Sequence, residues 1–280
     1  MAQGVAAMGF FTLDGDRLVP EPHASSLWSA DQMHGVAAGG AMARAAEAAL
    51  ADRDDLTPVR FTVDLFRPVR MQPCELRTEV IRSGRRLGLV DAELVQDGQT
   101  MARASTLFLA PTQEPDGQVW TPEHTFAPPP LELAPPTDQP HPPYFASDGH
   151  WTADFGDHQN AGRKSSWNPA MHVVAGEPIT PFQAAASMAD GASLVTNWGD
   201  AGIEHINTDL SLQLTRPPSG TEIGLVALDR TAHVGIASGV AGVFDRDGRC
   251  GTVVVTSLVN SRRTVDLGSV AYAEDGTRTL

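Results

Sequence analysis

The stretch PFQAAASMADGASLV, residues 181–195, is small and mostly apolar except for one carboxylate, Asp190. An ionised carboxylate is costly to bury without partners, and burial raises its pKa toward that of a useful general base. Phe182, Ala185, Ala186, Ala189 and Ser193 fall on one helical stripe, and alanine is the best helix former. The spacing therefore predicts a helix with an acid on its buried side; an acid at a helix end, capping it or facing solvent, is the other reading. A second candidate is HGVAAGGAMARAAEAAL, residues 34–50, where His34-Gly35 opens a predicted helix and Gly39-Gly40 follow about one turn on. Free amides at a helix start suit a carbonyl oxygen or a phosphate, and glycine permits close backbone approach. Tight packing against a neighbouring helix explains the same glycines, and His34 can be a polar contact, a base or a structural hydrogen-bonding group.

These helices sit in an internal repeat. VRFTVDLFRPV (59–69) alternates apolar and polar residues and ends in Arg67-Pro68; INTDLSLQLTRPP (206–218) does the same and ends in Arg216-Pro217, 149 residues on. VQDGQTMARASTLFL (95–109) and FDRDGRCGTVVVTSLV (244–259) each read as strand, Asp-Gly turn, strand, at an offset of 150 that sets Thr106 opposite Thr256. Each half is thus a short strand, one Ala-rich helix and three or four antiparallel strands, an α+β unit whose apolar helix needs a curved sheet around it. The segment 150–160 is expected as a strand entering the second sheet, and 163–174 as that sheet's edge strand. The Pro-rich run within 111–143 cannot sustain helix or sheet. The expected division is 8–112, a linker 113–145, 146–262 and a C-terminal tail 263–280. Aligned at offset 147, Asp190 falls on Ala43 and His34 on Pro181, so a single composite site is expected, with an Asp helix from one half and a His-Gly helix start from the other.

A formal charge of −14 and a pI near 4.9 argue against a non-specific hold on nucleic acid or an anionic membrane. Cys74 and Cys250 are too few and too far apart for a disulfide framework or a zinc site, and read as buried free thiols. His141, His150, His158 and His172 lack regular ligand spacing, so no metal is expected. No Gly-x-Ser-x-Gly, Walker or dinucleotide motif is present, against a serine hydrolase, an NTPase or a Rossmann enzyme. With no signal-peptide h-region and no apolar run near the ~18 residues that span a bilayer, a soluble, cytoplasmic chain is expected.

In their order and spacing, MHGVAAGGAMARAAEAAL, VDLFRPV, ASMADGAS, INTDLSLQLTRPP and DGRCGTVVVTSLV resemble the acyl-CoA thioesterase II family, a tandem (double) hotdog fold, over roughly 8–112 and 146–262. The resemblance implies two halves packed as a pseudo-dimer with their sheets joined. It also implies an acyl-CoA substrate, with coenzyme A part of it and no separate cofactor, and a homo-oligomer formed through the hotdog sheets. In such a site an Asp on the second-half helix, a hydroxyl residue on the Arg-Pro strand and a Gln on the last strand orient the water that attacks the thioester. Carried over, these positions fall on Asp190, on Asn207, an amide in place of a hydroxyl, and on Thr256, with Ser257 next to it. His34, Gly35, Gly39 and Gly40 match the oxyanion and pantetheine contact, and Arg67 and Arg216 are candidates for coenzyme A phosphates or for a neighbouring carboxylate. Two rival readings are a hotdog enoyl-CoA hydratase using an Asp and His pair, and a catalytically weak acyl-CoA binding protein.

Overall fold

The computed structural model describes residues 8–122, 127–137, 141–169, 171–273 and 278–279. In the first half, β1 (Gly9–Asp14) and β2 (Arg17–Pro20) precede α1 (Gly35–Ala48), β3 (Thr57–Leu65), β4 (Glu75–Ser83), β5 (Leu87–Gln96) and β6 (Gln99–Leu109). Three short strands, β7 (Tyr144–Ala146), β8 (Trp151–Thr152) and β9 (Ser165–Asn168), open the second half, and β10 (His172–Val174) follows them. Next come α2 (Pro181–Met188), α3 (Gly191–Asn197) and the small pair β11 (Trp198–Gly199) and β12 (Gly202–Ile203). The long strands β13 (His205–Leu214), β14 (Ile223–His233), β15 (Ile236–Asp245) and β16 (Gly248–Val259) follow, and β17 (Ala271–Tyr272) with β18 (Arg278–Thr279) closes the chain.

The arrangement is α+β. Eleven strands form one sheet in the order β4-β5-β6-β3-β13-β16-β15-β14-β9-β7-β8, and the halves join where β3 and β13 pair antiparallel from Asp64/Asp209 to Arg60/Gln213. Both strands alternate, so Phe61 and Val63 share a face with Leu210 and Leu212, and all four are buried. Phe182 of α2 reaches into the first half, with its ring 6.0 Å from Phe61 and 6.5 Å from Phe108. β1 runs the other way across the boundary and pairs in parallel with β10.

The helices touch through small residues. A Cβ on Gly40 would stand 2.4 Å from Ser187 Oγ, and one on Gly39 3.2 Å from the Ala186 carbonyl oxygen. These two glycines are therefore buried against α2, and their expected role as substrate contacts is corrected. The single second-half helix is also corrected. The amides of Ala192 and Ser193 bond back three residues, to Ala189 and Asp190, which tightens the chain between α2 and α3.

Three further segments differ from expectation. In 163–174, β9 joins the main sheet through β14 while β10 leaves it for β1, with Pro169 between them. In 150–160 only Trp151–Thr152 is strand; a 3-10 turn, Gly156–His158, follows. Of the expected linker, 123–126 and 138–140 lie outside the described residues. Within 127–137, Ala134 is buried and Arg246 donates to the Pro129 and Ala134 carbonyls, so this part is pinned to the second half. The C-terminal segment packs too: Val265 bridges Ile203 and Leu267 is fully buried.

The helix contact yields a prediction. Among the described residues the buried Ser187 Oγ has no hydrogen-bond partner, so its loss costs little while the Gly40 clash is real. Gly40→Ala is expected to be overpacked by about 1–3 kcal/mol, offset by about 1 kcal/mol of helix propensity. Adding Ser187→Ala should raise the urea midpoint above that of Gly40→Ala alone. An unchanged midpoint would place the strain elsewhere.

Candidate active site

The pairing of β3 with β13 stops at Asp64/Asp209, and beyond it the strands separate. Leu65–Pro68 on one side and His205–Asn207 on the other line a cavity of about 800 Å³ that extends between the halves. Met33, Met71, Met171 and Met188 contribute to its largely apolar wall, as do Phe145 and Phe155. Methionine is flexible and polarizable and suits ligands of variable shape.

Asp190 lies on this wall, at the tightened turn between α2 and α3. Its Oδ1 accepts from Asn207 Nδ2 at 2.9 Å, and the Val36 amide, in the first turn of α1, also bonds the carboxylate. A Cβ on Gly35 would lie 2.1 Å from Oδ1, so the carboxylate occupies the space where Gly35 has no side chain. Burial pushes the Asp190 pKa up, and the Asn207 and Val36 hydrogen bonds pull against it. The structure thus brings Asp190, Asn207 and Gly35 together from both halves. Asn207 sits just before a bulge in β13, opposite Ser257 of β16.

Thr256 does not join them. It is exposed on the opposite face of the sheet, where its amide donates to Asp209 Oδ1 and its carbonyl accepts from Thr208. The reason is a one-residue slip. The first hairpin turns on Asp97-Gly98, both with positive φ, whereas the second turns on Arg246-Asp247 and places Gly248 in the strand paired with Asp245. The structural offset is therefore 149, and since side chains alternate faces, shifting the register by one reverses inside and outside. Ser257 is the buried neighbour, and its hydroxyl accepts from Asn197 Nδ2 at 3.2 Å.

His34 lines the cavity but is a helix cap. Its Nδ1 accepts from the Ala37 amide at 3.0 Å, and Nε2 donates to the His23 carbonyl at 2.8 Å. With both ring nitrogens engaged it is neither base nor ligand donor, and burial lowers its pKa to about 4. Arg216 is also corrected. Its guanidinium grips Asp245 through two bonds of 2.7 Å and Gly248 O at 3.0 Å, away from the cavity. Burial pushes Asp245 up, but Arg216 and the Ser219 amide outweigh it and hold the carboxylate well below its usual range. In the first half Gln96 occupies the place of Asp245 and bonds the backbone of Arg70 and Gln72 instead. Among the described residues Arg67 consequently makes one long bond, to the Thr100 carbonyl, and stands exposed at the cavity wall.

The loop 22–33 and the C-terminal residues Val265, Tyr272 and Arg278 also line the cavity, and the sequence reading missed them. The available signal was an aromatic and an arginine in a segment otherwise read as tail. Cys74 and Cys250 are buried free thiols whose pKa burial pushes up to about 12. Among the described residues no group of three or more His, Cys, Asp and Glu could hold a metal, and no helix is long and apolar enough to cross a membrane.

Residues 24–109 match the family model of the acyl-CoA thioesterase N-terminal domain. Among solved structures, the chain is similar to the tesB protein of Mycobacterium avium subspecies paratuberculosis, at 14% identity and TM-score 0.62, over 89% of this chain and 95% of that one. It is similar to a hot dog fold protein of unknown function from Alicyclobacillus acidocaldarius, at 16% identity and TM-score 0.62, over 90% and 96%. An acyl-CoA thioesterase II from Mycobacterium marinum aligns at 15% identity and TM-score 0.56, over 89% and 94%. No curated protein matches the sequence. The likeness in fold and the matched N-terminal domain define the class, a hotdog fold carrying a segment similar to a thioesterase domain. Residues 24–109 are thus similar to the N-terminal domain of acyl-CoA thioesterases, and the chain as a whole shares its fold with these structures.

The His34 cap makes stability depend on pH. A histidine whose pKa falls from 6.5 unfolded to about 4 folded contributes stability above pH 6.5 that is lost as pH drops toward 4, up to about 3 kcal/mol. Asp190, with a raised pKa, works in the opposite sense and only above its unfolded value. His34→Asn keeps a capping acceptor without the titration. Urea midpoints of the two proteins between pH 4 and 7 should converge toward pH 4, and parallel curves would remove His34 from the pH dependence.

Proposed function

We propose that the protein hydrolyses acyl-CoA to the free acid and coenzyme A, and that its halves are two hotdog units in tandem, 8–112 and 146–262. The carrying observation is the Asp190 carboxylate, fixed by Asn207 of its own half and set against the first turn of α1 from the other, on the wall of an apolar cavity. Two half-sites that each lack a component make one that has both.

In the proposed reaction Asp190 accepts a proton from a water whose oxygen bonds to the thioester carbonyl carbon. The carbonyl oxygen becomes an oxyanion near the positive end of α1. Collapse of the tetrahedral intermediate re-forms the carbonyl and breaks the carbon–sulfur bond, and the proton held by Asp190 goes to the leaving thiolate. Asn207 acts as a fixed donor that orients the carboxylate. The acyl chain lies along the methionine and aromatic wall, and Arg67 faces the coenzyme A phosphates. The reaction uses no cofactor besides the coenzyme A of its substrate, and we place it in the cytoplasm. The hydratase alternative needs a free histidine beside the acid, and the ring nitrogens of His34 are both bonded.

Thiol release across an acyl-CoA panel tests this reading. Asp190→Asn should lower kcat by about 10²–10⁴-fold, the range for loss of a general base. Thr256→Ala, on the far face, should match wild type. The rate should rise with pH through a pKa above the ordinary aspartate range. Asn207→Ala removes a bond that lowers that pKa, and should move the rising limb to higher pH. Equal rates for wild type and Asp190→Asn would take Asp190 out of the mechanism.

A further inference from the structure

The C-terminal hairpin places a positive charge on the cavity wall. Arg278 pairs across β17–β18 with Tyr272, and both residues line the cavity. Tyr272 is stacked on Phe155 at 5.7 Å, and Phe155 packs against Phe145 and Trp198, so the hairpin is held on an aromatic surface of the second half. The Arg278 charge acts on His34, across the boundary in the first half, and on Tyr272.

The charge balance of the wall is unusual for a chain of net charge −14. Asp190 is the only carboxylate among the described lining residues, and it is engaged by Asn207 and by α1. Among the described residues no carboxylate forms an ion pair with Arg278. A part-buried guanidinium in apolar surroundings is costly until an anion reaches it, and its planar fork fits a carboxylate or a phosphate through two parallel hydrogen bonds.

We propose that Arg278 is a specificity-determining residue that pairs with an anionic group of the substrate. This rests on the thioesterase reading for the identity of the substrate. The group is a carboxylate or a phosphate, and a carboxylate on the acyl chain is favoured because Arg67 already stands at the cavity wall for the phosphates while Arg278 stands on the aromatic side. A thioester of a dicarboxylic acid would meet both arginines at once.

The test compares acyl-CoA pairs of equal chain length with and without a terminal carboxylate, and the same acyl groups on N-acetylcysteamine, which carries no phosphate. Wild type, Arg278→Gln and Arg278→Lys are assayed for thiol release. For an acyl carboxylate, Arg278→Gln should raise KM at least 10-fold for carboxylate-ended thioesters on either carrier. It should leave the plain esters unchanged, and Arg278→Lys should recover part of the loss. For a phosphate, KM should rise for both coenzyme A esters and for neither N-acetylcysteamine ester. Unchanged KM in every arm overturns the proposal. If wild type hydrolyses none of these esters, the thioesterase reading fails on its own. Calorimetric Kd values for the same coenzyme A esters then judge Arg278, with weaker binding by Arg278→Gln upholding the ion pair and equal binding overturning it.

Discussion

The seating of the Asp190 carboxylate against the start of α1 constrains more of this structure than any other contact. It requires Gly35, because a Cβ would lie 2.1 Å from Oδ1. It also requires the two helices to approach closely, which Gly39 and Gly40 permit against Ala186 and Ser187. That approach fixes the boundary between the halves, which Phe182 fills and the β3–β13 pairing closes. The tightened turn at Ala189–Asp190 then aims the acid at the other half. Moving any one of these would separate the carboxylate from either Asn207 or the Val36 amide.

The repeat shows how two similar folds take on different tasks with few changes. At matching places after the Arg-Pro strands, Asp245 of the second half captures Arg216, whereas Gln96 of the first half holds only backbone. The second arginine becomes a structural tie with a buried carboxylate, and the first remains exposed beside the cavity. His34 caps the first-half helix and Thr180 the second, whereas the acid stands at the turn after α2, where the matching stretch of α1 runs on as unbroken helix. The helix starts are capped in both halves, so what differs is the acid that follows α2 and seats against the start of α1.

Much of this was legible in the sequence because it is local or periodic. The Ala-rich helices, the alternating Arg-Pro strands and the α+β arrangement follow from patterns of 3.6 and 2 residues. Asp190 stood out as an acid in an apolar stripe, and Asn207 came from the family resemblance, which set it at the hydroxyl position of the Arg-Pro strand. Thr256 was misplaced because an Asp-Gly pair in each half suggested one register, while the hairpins turn on different residues; nothing short of the pairing itself reveals a one-residue slip. His34 and Arg216 were named for chemistry, yet their partners, the His23 carbonyl and Asp245, are set by the tertiary fold. The segment after 262 carries little periodicity, so its place on the cavity wall could be found only from its contacts with Ile203 and Phe155.

The amide at position 207 has a chemical consequence of its own. A hydroxyl can donate or accept, so its pairing with a carboxylate depends on where its hydrogen points; the Asn207 Nδ2 group can only donate. A permanent donor at 2.9 Å stabilises the ionised form of Asp190 whatever else enters the cavity. Burial favours the neutral acid, and a base that has already taken a proton cannot accept one from water. The amide and the Val36 amide therefore offset the cost of placing the acid in an apolar wall. Burial keeps it basic, the two amides keep it ionised enough to be available, and an amide in place of a hydroxyl is therefore compatible with the proposed reaction.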